Sequence, residues 1–593
     1  MVNCHQIAEK LLTYRHLLTF NSSNFELHCS ASYYLAYYKI NYPVFMKHSY
    51  LRSLLFVLGW MLCLPALSIA QNSYSDFQTL TDRLNQLEAD YGNLTELTSL
   101  AKTADGRDLW VLTIGSGDVQ NHPAVAVIGG VKGSHILGSE LALTFAENLL
   151  SNSSSDEISS LLETTTFYVL PRINPDATEQ YFASLKYERD VNTISTNEDR
   201  DDAFDEDPFN DLNGDNLITM MRVEDPTGKW MIHPDESRLL KMADATKGEK
   251  GSYMLFTEGA DDDGDGEFNE DNAGGVNINK NFTYDYPYFE PGAGENMASQ
   301  IETRAVLDFL FEEASNVFSV VSFGPANNLS SPVKFNRGGI SQRVITGWYE
   351  EDVAINQLVS DSYNEITGLE NAPTMDGQSG DLFQWAYFHY GRYSFSTPGW
   401  WTPDVMGEDD KAIKFDNEEA KFLAWADENN MNAFVEWEEV DHPDFPNKKV
   451  EVGGIKPYMT LNPPYEMVDS LSQKHTAFIT KLASMKPEVQ LVNFEVTEAG
   501  KNLTRITVDI HNGGILPTAS RLGERTNWVK EVVVKINLSN NLKLVSGEML
   551  DTIESIEGDG SIRKTWLVRG KGTFNLSAGA PNTGISTQEH TIR

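Results

Sequence analysis

Three apolar runs constrain this chain more than any other feature: PAVAVIGGV from Pro123, TTFYVLP from Thr165 and VFSVVSF from Val317. Each is too short for a buried helix, rich in β-branched residues and free of polar alternation, which is the pattern of strands covered on both faces. Between and before them lie SDFQTLTDRLNQLEADYG and SELALTFAENLL, whose apolar residues recur at helical spacing. The segment LTELTSLAKTADGRDLWVLTIGS reads as a hairpin turning at Asp105-Gly106. Strands that need helices on both faces predict an α/β domain with a largely buried sheet.

The rest of the chain divides around that domain. Residues 1–45 precede a complete signal sequence and read as a mis-assigned start. Residues 46–70 carry a basic segment, an apolar core and Ser68-Ile69-Ala70 before Gln71, the pattern of a cleaved secretory signal peptide. The apolar run is shorter than the ~20 residues a span requires, so no membrane span is expected after cleavage, and the mature protein is expected to be secreted or periplasmic. Cys4, Cys29 and Cys63 all lie before the cleavage site, so the exported part relies on core burial and bound ions and not on disulfides. The α/β pattern occupies 71–467, interrupted at 192–275 by Asp, Asn and Gly clusters too long for a plain loop and read as an ordered insertion. A connecting helix is expected over 468–487. Alternating segments between turn signals over 488–593 predict a terminal β-sandwich. An excess of 86 Asp and Glu over 46 Lys and Arg excludes nucleic acid and anionic membrane surfaces as partners and favours cations.

Five segments in order, GGVKGSHILGSELAL, LPRINPDA, GGVNINKNF, ETRAVLDF and WAYFHYGRYSFS, resemble the zinc carboxypeptidases of the carboxypeptidase A type. The resemblance implies an α/β sandwich around a mixed eight-stranded sheet, with the site at the carboxyl ends of the strands. It also implies one zinc ion held by a His and a Glu three residues apart and by a later His, with a fourth position open for water. Here Lys132 stands at the first His position, His135 at the Glu position and Phe323 at the later His. Pro398 stands where the water-activating Glu belongs. An ammonium group offers no lone pair, and proline cannot act as a base. Zinc is therefore not expected at the usual site. On the pocket side, Arg189 resembles the family's oxyanion-supporting Arg, and Asn279 with Lys280 resembles its Asn-Arg pair for a terminal carboxylate, with Lys losing the bidentate geometry. For Lys132 the residues also allow an ion pair with a neighbouring acid, and for His135 a polar loop role.

The insertion carries a second chemistry. Asp261, Asp263, Asp265, Glu267 and Asp271 place oxygen donors at alternate positions around Gly266, as calcium loops do, and Asp211, Asn213 and Asp215 form a shorter copy. Hard oxygen donors predict calcium. The combined reading is a secreted, calcium-stabilised carboxypeptidase-like protein, catalytically impaired or inactive, binding peptide or other carboxylate-bearing ligands. Two alternatives stand beside it: an active metallocarboxypeptidase with an atypical metal site, and an adhesion or glycan-binding protein using the terminal β-sandwich.

Overall fold

The structure, a computed structural model, describes residues 73–196, 207–262, 274–407 and 411–593. In chain order the strands before the terminal module are β1 Thr95–Lys102, β2 Asp108–Ile114, β3 Ala124–Ile128, β4 Thr166–Leu170, β5 Met220–Glu224, β6 Trp230–Ile232, β7 Leu240–Met242, β8 Tyr253–Thr257, β9 Val317–Phe323, β10 Tyr393–Thr397, β11 Phe434–Val440 and β12 Val450–Ile455. The long helices that cover the first sheet are α1 Phe77–Tyr91, α2 Ile136–Ser151, α3 Glu350–Thr367 and α4 Val468–Ser484.

The three apolar runs form the middle of a mixed sheet ordered β1-β2-β4-β3-β9-β10. Strands β4, β3, β9 and β10 run parallel, while β1 and β2 close one edge antiparallel. Every residue of β3, β4, β9 and β10 is buried, as strands covered by helices on both faces must be. The hairpin turns where expected, with Gly106 at φ +79°, a conformation that costs glycine nothing. Helix α1 starts at Asp76, whose carboxylate accepts the Thr79 N–H at 2.7 Å.

The sheet has six strands among the described residues where the resemblance implies eight. The next two strands in the chain, β11 and β12, leave it and join the insertion in a second antiparallel sheet ordered β11-β12-β5-β8-β6-β7. The insertion therefore does not fold alone: Val450 and Val452 of β12 complete the small core begun by Met221 and Val223 of β5.

Two boundaries also sharpen. Helix α4, expected to be a connector, buries Leu471, Phe478, Ile479 and Leu482 in the same core cluster as α2, so it is one of the layers of the domain. The terminal module is a sandwich of two four-stranded sheets around Ile506, Val508, Val534, Ile536, Val568 and Leu576. It is docked firmly. The Ser520 hydroxyl donates to the Gly391 carbonyl at 2.9 Å, and the buried Asp352 carboxylate accepts the N–H groups of Arg521 and Leu522 at 2.8 and 3.2 Å. Leu522 itself belongs to the core of the larger domain, and residues 71–593 form one compact unit.

Candidate functional site

The loop after β3 runs through a tight passage. A Cβ at Gly129 would lie 2.3 Å from the Gly138 carbonyl oxygen, and Gly130 sits at φ +61°. These glycines bring residues 132–135 to the carboxyl end of the sheet, beside the ends of β9 and β10. The four positions expected to differ from a zinc centre are placed there together, and of the four side chains only that of His135 has a lone pair to offer a metal.

Lys132 leans outward. Its Nζ lies 3.6 Å from Asp190 Oδ2, while Asp190 Oδ1 accepts both the N–H and the hydroxyl of Ser134, at 2.9 and 2.7 Å. Of the two readings open for Lys132, the ion pair is the one the geometry contains. The pair is partly exposed, so it stabilises little, by roughly 0–1 kcal/mol. Replacing Lys132 with Met is expected to move the thermal midpoint by no more than a degree or two for a unit of this size, measured by differential scanning fluorimetry.

His135 turns inward and is almost fully buried. Its Nε2 lies 3.0 Å from the Pro398 carbonyl oxygen. A carbonyl only accepts, so Nε2 carries the proton and the lone pair resides on Nδ1. That nitrogen faces the first turn of α2, where a Cβ on Gly138 would meet it at 2.9 Å. Burial, with the Lys132 charge second, lowers the imidazole pKa from 6.5 to about 4.

Phe323 is fully buried and meets the His475 ring edge-on, centroids 5.4 Å apart. His475 receives the Tyr363 hydroxyl on Nε2 at 3.1 Å and donates from Nδ1 to the Leu471 carbonyl at 2.7 Å. Burial lowers its pKa to about 4 as well. The sequence reading missed this histidine. Its position on the apolar stripe of α4, four residues after Leu471 and four before Ile479, was the available signal. Glu140, the next carboxylate along the chain from His135, points away to Arg83 and accepts the Ser75 N–H at 3.2 Å. The residues present do not fit a zinc ion: an outward ammonium, a single buried imidazole bonded to a carbonyl, a core phenyl group and a proline.

The pocket-side residues are also differently engaged than expected. Arg189 donates to the carbonyls of Val191, Asn192 and Gly274 at 3.0, 2.6 and 2.8 Å, so it ties two loop segments together and has no free fork for an oxyanion or carboxylate. Asn279 is buried and its side-chain oxygen accepts the Leu382 N–H at 3.1 Å. Lys280 alone keeps a partly exposed ammonium, 3.3 Å from the Pro291 carbonyl and 3.9 Å from Glu290.

In the acidic loops, Asp263, Asp265, Glu267 and Asp271 lie outside the described residues, and the Asp261 N–H donates to Asp444 at 3.1 Å. The 211–215 loop folds on itself. Asp211 accepts the N–H groups of Gly214, Asp215 and Asn216 at 2.9, 3.1 and 2.8 Å, and Asn213 accepts that of Asp215 at 3.1 Å. Among the described residues one further cluster has metal-ligand composition: His233, Asp235 and Asp416. His233 Nδ1 accepts the N–H groups of Asp235 and Glu236 at 3.2 and 3.1 Å, so Nε2 carries the proton it gives to Asp416 at 2.9 Å. Both ring nitrogens are taken.

Residues 80–212 match the zinc carboxypeptidase family, and residues 488–591 match a domain family of unknown function. Carboxypeptidase M of Mus musculus is 29% identical over 125 residues, covering 20% of this chain and 28% of its own. A zinc carboxypeptidase of Saccharothrix mutabilis subsp. capreolus is 28% identical over 114 residues, covering 19% and 26%. The chain thus spans little more than a quarter of the length of these relatives. Thrombin activatable fibrinolysis inhibitor aligns in structure over 70% of this chain and 74% of its own, at 12% identity and a TM-score of 0.39. The described residues form a mixed α/β fold. Its 80–212 segment is similar to the zinc carboxypeptidases.

Proposed function

We propose that this protein keeps the carboxypeptidase frame as a binding scaffold and does not hydrolyse peptides through a zinc-bound water. The observation that carries this reading is the joint state of Lys132, His135, Phe323 and Pro398. Hydrolysis of this type requires three lone-pair donors on the metal and a base for its water. These four positions provide one histidine, buried and bonded through Nε2 to the Pro398 carbonyl, with no second or third donor beside it. The alternative of an active enzyme with atypical ligands gains nothing from the His233 cluster, whose imidazole is bonded at both nitrogens. Synthetic peptides with free C-terminal residues, incubated with the protein in added zinc, test the reading: no amino acid is released. Release abolished by a chelator would refute it.

In the same reading the protein is exported by the 46–70 signal, and any peptide C-terminus in the old pocket is held by Lys280 alone, without a bidentate clamp. Calcium bound at the 211–215 and 261–271 loops neutralises carboxylates that otherwise repel one another. The thermal midpoint is then expected to fall by several degrees in chelator and to return with calcium but not with magnesium, read by differential scanning fluorimetry. An unchanged midpoint would remove calcium from the account.

A further inference from the structure

The charge of the chain is unevenly divided. Residues 488–593 carry twelve Asp and Glu against twelve Lys and Arg, so the whole net charge of −40 belongs to the residues before them. One sheet of the terminal sandwich orders its strands Val489–Gly500, Leu503–Asn512, Ser561–Gly570 and Leu542–Ser546. Ile506, Val508, Trp566 and Val568 fill the core, so Arg505, Thr507, Leu567 and Arg569 between them stand on the outer face. There Arg569 lies directly opposite Lys543 of the edge strand, and Arg505, opposite Leu567, is its diagonal neighbour. Like charges paired in this way destabilise a sheet. The turns at the same end add Lys501 and Lys571, and they meet where the Gly570 N–H donates to the Asn502 carbonyl at 3.3 Å.

All five cations are exposed, and among the described residues none of them makes an ion pair. Arg563, at the other end of the same face, shows the contrast: it is bonded twice to Asp509, at 2.7 and 2.9 Å. The other acids of these strands and their turns are Glu495, Glu498 and Glu548, and none pairs with the five. A lysine on an edge strand guards against pairing with another chain, which accounts for Lys543 but not for Arg505 and Arg569 on inner strands. The sandwich docks through its opposite end, where Asn512 holds the Leu516 carbonyl and the Leu516 N–H donates to Met485. The ten residues of Leu503–Asn512 put about 30 Å between that end and the cations. This is roughly four Debye lengths at physiological salt, so the acidic body is largely screened there.

The three cations on the face occupy two rows of residues across three strands, a strip roughly 7 Å wide and 10 Å long. A nucleic-acid duplex or a membrane is broader than this and would also cover Glu495. A single-stranded nucleic acid needs rings to stack on, and Trp566 is buried. An acidic peptide joins a sheet by backbone pairing, and the two strands that carry Arg505 and Arg569 are already paired on both sides. A sugar chain needs neither rings nor free backbone, and Thr497, Thr507 and Thr565 offer its hydroxyls partners on the same face. We propose that this face binds a linear acidic polysaccharide laid across the strands, with its carboxylate or sulfate groups on Lys543, Arg569 and Arg505. The site belongs to the terminal sandwich and does not depend on whether zinc binds at the degenerate position.

The test uses the full exported chain, residues 71–593, in fluorescence anisotropy with labelled hexagalacturonate and a labelled chondroitin sulfate hexasaccharide. Maltohexaose, hexaglutamate and a single-stranded DNA hexamer serve as comparison probes. At least one acidic hexasaccharide is expected to bind at low salt and to weaken steeply as ionic strength rises. Lys543→Gln/Arg569→Gln should weaken it about tenfold or more, through the loss of two charge-assisted contacts. Lys535→Gln, on the outer face of the other sheet, should leave it unchanged. Because Lys543 and Arg569 repel each other, the melting midpoint of the double variant should hold or rise, which separates lost binding from lost folding. Binding of neither acidic hexasaccharide at millimolar concentration, equal binding of maltohexaose, tighter binding of hexaglutamate or DNA, or binding indifferent to the folded double variant would each overturn the proposal. A salt-sensitive dimer abolished by the double variant would overturn it too, by giving the face to the acidic domain of a second copy.

Discussion

Replacing Arg83 with Ala is expected to cost about 3–5 kcal/mol of stability, a loss out of proportion to a residue that is partly exposed. Glu140 is the reason. Its side chain is completely buried on α2, and Arg83 on α1 supplies its counter-charge. The same guanidinium holds Glu147 with two bonds, at 2.8 and 2.6 Å, and the Ser75 hydroxyl at 2.7 Å. Arg172 continues the network by donating to the Ser75 carbonyl at 2.6 Å and to the Ser139 hydroxyl at 2.9 Å. Removing Arg83 leaves a buried carboxylate with only the Ser75 N–H and the Tyr465 hydroxyl. Urea unfolding of Arg83→Ala beside Arg83→Ala/Glu140→Gln separates lost charge from lost packing. The double variant should recover most of the loss, because it no longer buries an unpaired charge. A single variant within about 1 kcal/mol of the parent would show that Glu140 does not need its partner.

Acidification will act on the degenerate site through its two buried histidines. Both His135 and His475 have folded pKa values lowered from 6.5 to about 4, chiefly by burial. A lowered histidine contributes stability that is fully present above its unfolded pKa and is lost as pH falls toward the folded value. The window is therefore about pH 6.5 down to 4. A lowering of this size corresponds to roughly 3 kcal/mol for each group. Buried carboxylates respond with the opposite sign: burial raises Asp352 to about 6, so protonating it on acidification relieves a cost. The histidine contribution is isolated by comparing the parent with His475→Gln, which can still meet Leu471 and Tyr363. The variant should be less stable at about pH 7.5, and the gap should close by about 3 kcal/mol near pH 4. A gap independent of pH would mean that His475 does not titrate in this window.

Much of the first sheet was legible because β3, β4 and β9 are covered on both faces and must be apolar throughout. The second sheet was not. Its strands β6 and β7 are three residues long, too short to show alternation, and β5 pairs with β12 more than 200 residues later. In the site, Lys132, Phe323 and Pro398 could be read as non-ligands from residue type alone, since a missing lone pair is a property of the side chain, whereas what His135 does depends on its surroundings. What Arg189 does could not. An arginine that holds three carbonyls and one that holds a substrate look alike in sequence, and only the path of the 274 segment decides between them. His475 escaped notice because a neutral buried histidine has the spacing of an apolar core residue.

Zinc content is the measurement that bears most directly on the central claim. The protein, purified without chelator, incubated with one equivalent of zinc and dialysed, should retain far less than one zinc per chain by plasma emission spectroscopy, and Lys132→Met should not change that value. One tightly held zinc per chain, lost on replacing His135, would contradict the account and return the site to the metallopeptidases.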